Sequence, residues 1–383
     1  MKKAGSFPRP AAALCLAVLL LVSVGCGNPS PSQTDGNAVG ITLTPLEEPV
    51  PLAEPEAIAF YAAKSNVSVK EILASGKSGR LDHALPVTLS FTVDSGQSLP
   101  TTLSYGLMKG KTKEKGKSVF LPAGTTSCDI TDLLPGKTYW YSVAAAVSDG
   151  DNLFAEATFT TAASPRILTV EGTKNMRDIG GWKTTDGKTV AYGKLIRGGA
   201  IDGYAADNVD PTTITATEEG LRYMKEELGI RFDCDLRDVL VNNDPGPLGE
   251  DVPRRGYAAW SYDQAIDKEY GRMKMAEVFH DLAKPEHYPL YLHCTHGADR
   301  TGTVCFILEA MLGLSYTDCV REYEYTALYN RSLSRESASL KALVTALGKC
   351  GGATVQENAV NYLRSIGITM NEMDTIRSVF LED

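Results

Sequence analysis

The first apolar feature is an unbroken run over residues 11–24, 14 positions long, behind the cations Lys2, Lys3 and Arg9. A bilayer span takes about 20 residues, so the first 26 read as an export signal outside the fold. Residues 27–54 lack periodicity and are rich in Pro, Ser, Thr, Gly and acidic residues, which predicts a flexible tether. Alternation then takes over. Residues 86–93 put Val87, Leu89 and Phe91 on one face. Residues 129–147 make a turn and then a strand with Tyr141, Val143 and Ala145 alternating, and residues 154–161 close the region. This period of two predicts an all-β domain over residues 55–163. Beyond Ala162-Ala163-Ser164-Pro165, strand-like residues 230–236 and 289–293 alternate with helix-like ones. Residues 301–312 suit a buried helix stopped at Gly313, and residues 317–330, 333–347, 355–366 and 371–381 are amphipathic. Residues 164–383 therefore read as an α/β domain, a mostly parallel sheet flanked by helices.

A chain of 383 residues exceeds one ordinary core, in line with two domains plus extra segments. A net charge of -9 without a basic stripe excludes nucleic acid as a partner. The eight cysteines are irregularly spaced: Cys15 and Cys26 fall in the export segment, leaving Cys128, Cys234, Cys294, Cys305, Cys319 and Cys350. No disulfide framework follows from that spacing, and buried thiols account for most of them. For Cys234 a redox partnership with Cys294 is the alternative. Ser23-Val24-Gly25-Cys26 resembles the lipobox of bacterial lipoproteins. That resemblance implies lipidation of Cys26 and an extracytoplasmic, lipid-anchored place on the bacterial cell membrane, which makes the membrane a partner.

The chemistry concentrates in Tyr291-Leu292-His293-Cys294-Thr295-His296-Gly297-Ala298-Asp299-Arg300-Thr301-Gly302, between an apolar strand and an apolar helix. A loop there aims successive backbone N–H groups at one point, at the positive end of the helix dipole. That field binds a phosphate dianion and also stabilises a thiolate, which suits Cys294 as nucleophile. Thr295, His296, Gly297 and Ala298 are the loop positions that would cradle the phosphate, with Gly297 permitting the turn. Arg300 can fold back and hold two phosphate oxygens in its planar fork. Thr301 can hydrogen-bond the sulfur, and His293 orders the loop. A metal cluster of His293, Cys294 and His296 is the competing reading, but no second ligand pair has suitable spacing.

His before Cys, five residues to Arg, Gly within the loop and Thr after Arg together resemble the cysteine-dependent protein tyrosine phosphatase superfamily. Asn175-Met176-Arg177-Asp178-Ile179-Gly180-Gly181, Leu195-Ile196-Arg197-Gly198-Gly199 and Asp235-Leu236-Arg237 are similar to ordered motifs of a bacterial family of secreted tyrosine and lipid phosphatases. Residues 362–381 also look like that family's ending. The resemblance implies a phosphate-monoester hydrolase with a phosphocysteine intermediate and no cofactor or metal. It further implies that Asn175, Asp178, Asp235 and Arg237 support the loop, and that Arg177 touches substrate or supports it too. Two general acids are open: Asp299 in the loop, and Asp263, 31 residues before Cys294 where relatives carry an active-site flap (residues 260–267). The family's loop lysine is Ala298 here. Partners implied are a phosphorylated protein or a small phosphomonoester. Phosphotyrosine proteins are preferred, with dual specificity open; an inositol-phosphate or phosphoinositide phosphatase is the alternative enzyme and a catalytically silent surface binder the alternative class. Leu133-Leu134-Pro135-Gly136-Lys137-Thr138-Tyr139 and the closing Phe-Thr-Thr resemble a fibronectin type III sandwich, with Tyr139 as its corner tyrosine and no partner specified.

Overall fold

The computed structural model describes residues 40–74, 79–94, 98–147, 152–203, 215–238, 246–329 and 332–383. The export segment and Cys26 lie outside the described residues. No helix among the described residues is long and apolar enough to cross a membrane.

Two antiparallel sheets form the N-terminal β region. One joins Gly40–Leu43, Val87–Asp94 and Ser127–Ile130 in that order. The other is built on Thr101–Lys109, Thr138–Ala146 and Asn152–Thr160, with Lys117–Leu121 on its far side. Alternate residues of both sheets, among them Val87, Leu89, Phe91, Leu103, Tyr141, Val143 and Phe159, bury into one core. The Tyr139 hydroxyl accepts the Leu134 N–H at 2.8 Å, a bond that fixes the turn before its own strand.

Two expectations need correction here. The tether does not run to Glu54: Gly40–Leu43 pairs with the strand Val87–Asp94, and Val50 bridges to Thr161. Nor is 55–163 all-β, because Pro55–Ala62 and Val69–Ala74 are helices. Pro55 fits the first helical turn, where its missing N–H costs nothing. Ala57 and Phe60, three apart, then share a face. That face packs with Val69 and Leu73 onto Tyr325, Ala327 and Leu328 of the C-terminal region, so these helices have no period-two signal to give. Arg321 Nη2 donates to the Phe60 and Tyr61 carbonyls at 2.5 and 2.8 Å, satisfying the helix end.

The C-terminal region is a five-stranded sheet ordered Arg254–Gly256, Phe232–Asp235, Leu290–His293, Leu195–Gly198, Arg177–Asp178. The first four strands run parallel and the short Arg177–Asp178 runs antiparallel. Leu290–His293, fully buried, is the central strand. Both its neighbours, Leu195–Gly198 and Phe232–Asp235, come from earlier in the chain, so the chain reverses its progress across the sheet to insert this strand between them, a switch in strand order. Ligand sites in such sheets open at the carboxyl ends of the strands beside that switch. The helix Asp299–Leu312 starts there, buried along nearly its whole length, and ends at Gly313 with φ +104°. Helices Tyr316–Glu324, Ala338–Gly348, Val355–Ser365 and Met370–Phe380 follow, close to the four amphipathic stretches. Arg166 joins the two regions, with Nη2 at 2.6 Å from Asp132 and Nη1 at 2.8 Å from Asp178.

Candidate active site

The loop from Cys294 to Ala298 connects the central strand to the helix Asp299–Leu312. Its carbonyls are held from behind. Ala200 N–H donates to Thr295 O at 3.0 Å, and Asn175 Nδ2 donates to His296 O and Gly297 O at 3.1 and 2.9 Å. Arg197 Nη2 adds a second bond to Gly297 O at 2.8 Å. In a planar trans peptide the N–H points opposite to the carbonyl. Fixing these oxygens on one side therefore turns the N–H groups of His296, Gly297 and Ala298 toward the other. Gly297 sits at φ +64°, and a Cβ there would run into the Gly198 carbonyl, so only glycine fits. Cys294, 3% exposed, lies at the base.

The clamps are themselves tied down. Arg177 Nη1 holds Asn175 Oδ1 at 2.6 Å, and its Nε reaches Glu322 Oε1 at 2.6 Å. Arg197 Nη1 takes the other oxygen of Glu322, also at 2.6 Å. Asn175, at φ +56°, receives a further anchor from outside the domain, its own N–H donating to Asp82 Oδ2 at 2.6 Å. Arg177 is thus buried and committed to Glu322 and Asn175; it does not extend to a bound substrate, and the expectation of a substrate contact is corrected. Burial opposes ionisation of Glu322, but Arg177 and Arg197 hold its carboxyl below the usual range. Neighbouring Glu309 moves the opposite way, burial first and Glu322 second pushing its carboxyl well up, so it keeps its proton. Two arginines against one ionised glutamate leave excess positive charge beneath the loop.

Other expected residues take distinct places. Arg300 Nη2 folds back to Thr295 Oγ1 at 3.2 Å. Thr301 Oγ1 is buried without a hydrogen bond among the described residues, so a bond to the Cys294 sulfur is not formed in this structure. His293 Nε2 pairs with Asp233 Oδ1 at 2.8 Å, and His296 Nδ1 with the Tyr329 hydroxyl at 2.8 Å, so the two rings do not share a partner. Asp178 accepts from Gly180 N, Gly193 N and Arg166 at 2.7 to 2.8 Å, ordering the chain around the Arg177–Asp178 strand. Arg237 binds Asp235 and Asp202, with Arg254 shared between the same two carboxylates. Burial works against the Asp235 charge, yet His293, Arg237 and Arg254 keep its carboxyl well below the usual range. Cys234 lines up with Leu292 in the neighbouring strand and sits in the core, where burial pushes its thiol well up.

The two acid candidates separate clearly. Asp299 is exposed at the start of the loop helix, and its Oδ1 accepts the Tyr262 O–H at 2.5 Å. Tyr262 stands in the left-handed region at φ +58°, held by its N–H to Thr303 Oγ1 at 2.8 Å, while Thr303 in turn donates to Asp299 O at 2.8 Å. Such strain in a non-glycine residue persists only where surroundings enforce it. Burial, then Tyr323, then Asp299 raise the Tyr262 hydroxyl, which stays protonated and therefore donates. Asp263, next in sequence, is exposed with no hydrogen bond or ion pair among the described residues. The flap segment brings Tyr262, not Asp263, into hydrogen-bond contact with the start of the loop helix. Sequence reasoning missed Glu322, Asp82, Tyr262 and Tyr329, and gave Arg197 no role although it stands inside a quoted motif.

A model described as the tyrosine phosphatase family matches residues 168–382, more than half of the chain. No curated protein matches. Among solved structures, the fn3 domain of human collagen alpha-1(XX) chain is 25% identical over 23% of this chain and 93% of that one, with a TM-score of 0.18, too low to bear on the fold.

Replacing each of the two coupled glutamates should have opposite effects. Glu322→Gln strands two buried arginines and should cost about 3–5 kcal/mol of stability in denaturant unfolding. Glu309→Gln mimics the protonated acid and should raise Tm at pH 7. A carboxyl raised in the folded state loses stability as pH climbs past its unfolded value, so this gain should vanish below about pH 4.3. Thermal melts of both variants between pH 4 and 8 check the signs.

Proposed function

Because the chain belongs to the tyrosine phosphatase family, we propose that it hydrolyses phosphate monoesters, phosphotyrosine in proteins above all, through Cys294. The observation that carries this reading is the loop whose carbonyls are pinned behind by Asn175, Arg197 and Ala200, leaving its N–H groups directed at one place. In the first step the Cys294 sulfur attacks phosphorus in line with the ester oxygen. The S–P bond forms, the P–O bond breaks, and Asp299 gives its proton to the leaving oxygen. Water then attacks the phosphocysteine, Asp299 takes a proton back, and inorganic phosphate leaves with the thiolate restored. The loop N–H groups and the Arg300 fork stabilise the equatorial oxygens in both steps. Thr301, buried with its hydroxyl unpartnered, is available to the sulfur as it departs.

Asp299 is favoured over Asp263 because Tyr262 fixes it. A hydroxyl donating to Oδ1 leaves Oδ2 to carry the proton, and it stabilises the carboxylate once that proton has gone. We also read the N-terminal β region as a fibronectin type III-like spacer, on its two sheets with one core and its Tyr139 corner bond. The Gly25-Cys26 ending supports lipidation and an extracytoplasmic place at the membrane.

Four outcomes follow from these assignments. Cys294→Ser should abolish turnover of p-nitrophenyl phosphate while vanadate binding remains measurable by calorimetry; a tenth of wild-type kcat surviving would end the covalent mechanism. Asp299→Asn should slow phenyl phosphate about 100-fold and p-nitrophenyl phosphate far less, since a good leaving group needs little protonation. Tyr262→Phe should change this leaving-group dependence in the same direction, because it removes the hydrogen bond that orients Asp299. Equal slowing of both substrates by Asp299→Asn would reduce it to shaping the loop. Cys26→Ala, expressed in a bacterial host, should move the protein from the membrane to the soluble fraction, and unchanged fractionation with a lipid-free mature mass would refute the anchor.

A further inference from the structure

Beside the loop, two cations converge on one ring. Arg80 lies over Tyr329 with its guanidinium carbon 5.6 Å from the ring centroid, and the Lys174 ammonium lies 5.9 Å from the same centroid. The ring belongs to the site, since its hydroxyl bonds His296 of the loop at 2.8 Å. Lys174 immediately precedes Asn175, and its carbonyl takes the Gly199 N–H at 2.8 Å, so its backbone is fixed against the loop clamp. Arg80 comes from outside the matched residues 168–382. It is oriented by a bidentate pair with Asp82 at 2.8 Å for both bonds, and Asp82 is the same carboxylate that anchors Asn175.

The charges do not balance. Asp82 answers Arg80, while the Lys174 ammonium has no hydrogen-bond or ion-pair partner among the described residues. Burial, and then the charge of Arg80, lower the Lys174 ammonium below the usual lysine range, with Asp82 acting in the opposite sense. Tyr329 is close enough to the reaction centre that, after burial and the charges of Arg80 and Asp82, Cys294 is among the groups acting on its hydroxyl.

We propose that Lys174, with Arg80 and the Tyr329 ring, forms a second anion subsite beside the catalytic loop that receives a carboxylate neighbouring the phosphotyrosine of a peptide substrate. This rests on the phosphatase reading and adds its specificity. The net charge decides the occupant: Arg80 and Lys174 against Asp82 leave one positive charge, which matches a single carboxylate rather than a second phosphate dianion. The loop itself brings no cation at Ala298, so discrimination falls to groups outside it.

The test is a ratio measured within each protein, which cancels general damage to the loop. Full-length protein is assayed on a phosphotyrosyl peptide with Glu beside the phosphotyrosine and on the same peptide with Gln there. Wild type should prefer Glu about fivefold in kcat/KM at low salt, and the preference should shrink as salt screens the pair. Lys174→Met should bring the ratio to one, and Lys174→Arg should restore it. A wild-type ratio of one, or a fivefold ratio persisting in Lys174→Met, would overturn the subsite. A bisphosphorylated inositol turned over faster than either peptide, with that advantage lost in Lys174→Met, would overturn the carboxylate assignment in favour of a second phosphate. Wild-type protein inert even on p-nitrophenyl phosphate would instead overturn the phosphatase reading beneath it.

Discussion

The Gly297 carbonyl, held at once by Asn175 Nδ2 and Arg197 Nη2, is the contact on which the rest of the site depends. A loop that collects N–H groups must dispose of its carbonyls, whose dipoles would otherwise repel an anion at close range. Here the disposal is done by two side chains, one from the strand Leu195–Gly198 and one from the bend before Arg177–Asp178, and both are oriented by the arginine–glutamate cluster around Glu322. The anion site is therefore assembled from behind, with the buried charges on the far side of the peptide planes.

Burying three charges adds little net stability, since desolvation opposes each of them. Their value lies in geometry. Guanidinium groups are planar, permanently charged and rich in fixed donors, so they hold a backbone oxygen in one direction where an apolar contact would not. The arrangement also leaves positive charge under the loop, because Glu309 stays neutral beside the ionised Glu322. The helix N-terminus and the arginine excess thus act on the same point from two directions.

The same logic extends past the catalytic region. Asp82 fixes the backbone of Asn175, Arg166 bridges Asp132 to Asp178, and Arg321 caps the helix Pro55–Ala62. The N-terminal segment is consequently part of the wall of the site, and residues that looked like linker or β scaffold contribute to its electrostatics.

The strand–loop–helix with Cys294 and Arg300, the stop at Gly313 and the alternating strands around Phe91 and Val143 were legible in the sequence, because each is a local pattern: a period, a spacing or a glycine where only glycine fits. Asn175 was legible as support through its motif, though not what it supports. Glu322 read only as one polar position on an amphipathic helix, and its role depends on Arg177 and Arg197, more than a hundred residues away in the chain. Tyr262 was hidden for a similar reason, since the flap's adjacent Asp263 offers the more obvious chemistry and a one-residue rotation at positive φ decides which side chain reaches Asp299. The helices at 55–74 carried too short a repeat to stand out, and they are held by Tyr325 and Leu328, more than two hundred residues later in the chain. Sequence alone determined which groups could do chemistry and where the loop would turn, since local sterics and dipoles settle both. Only the tertiary structure decided which buried charges orient that loop and which flanking residues surround it, because Coulomb and hydrogen-bond partners are chosen by distance in space.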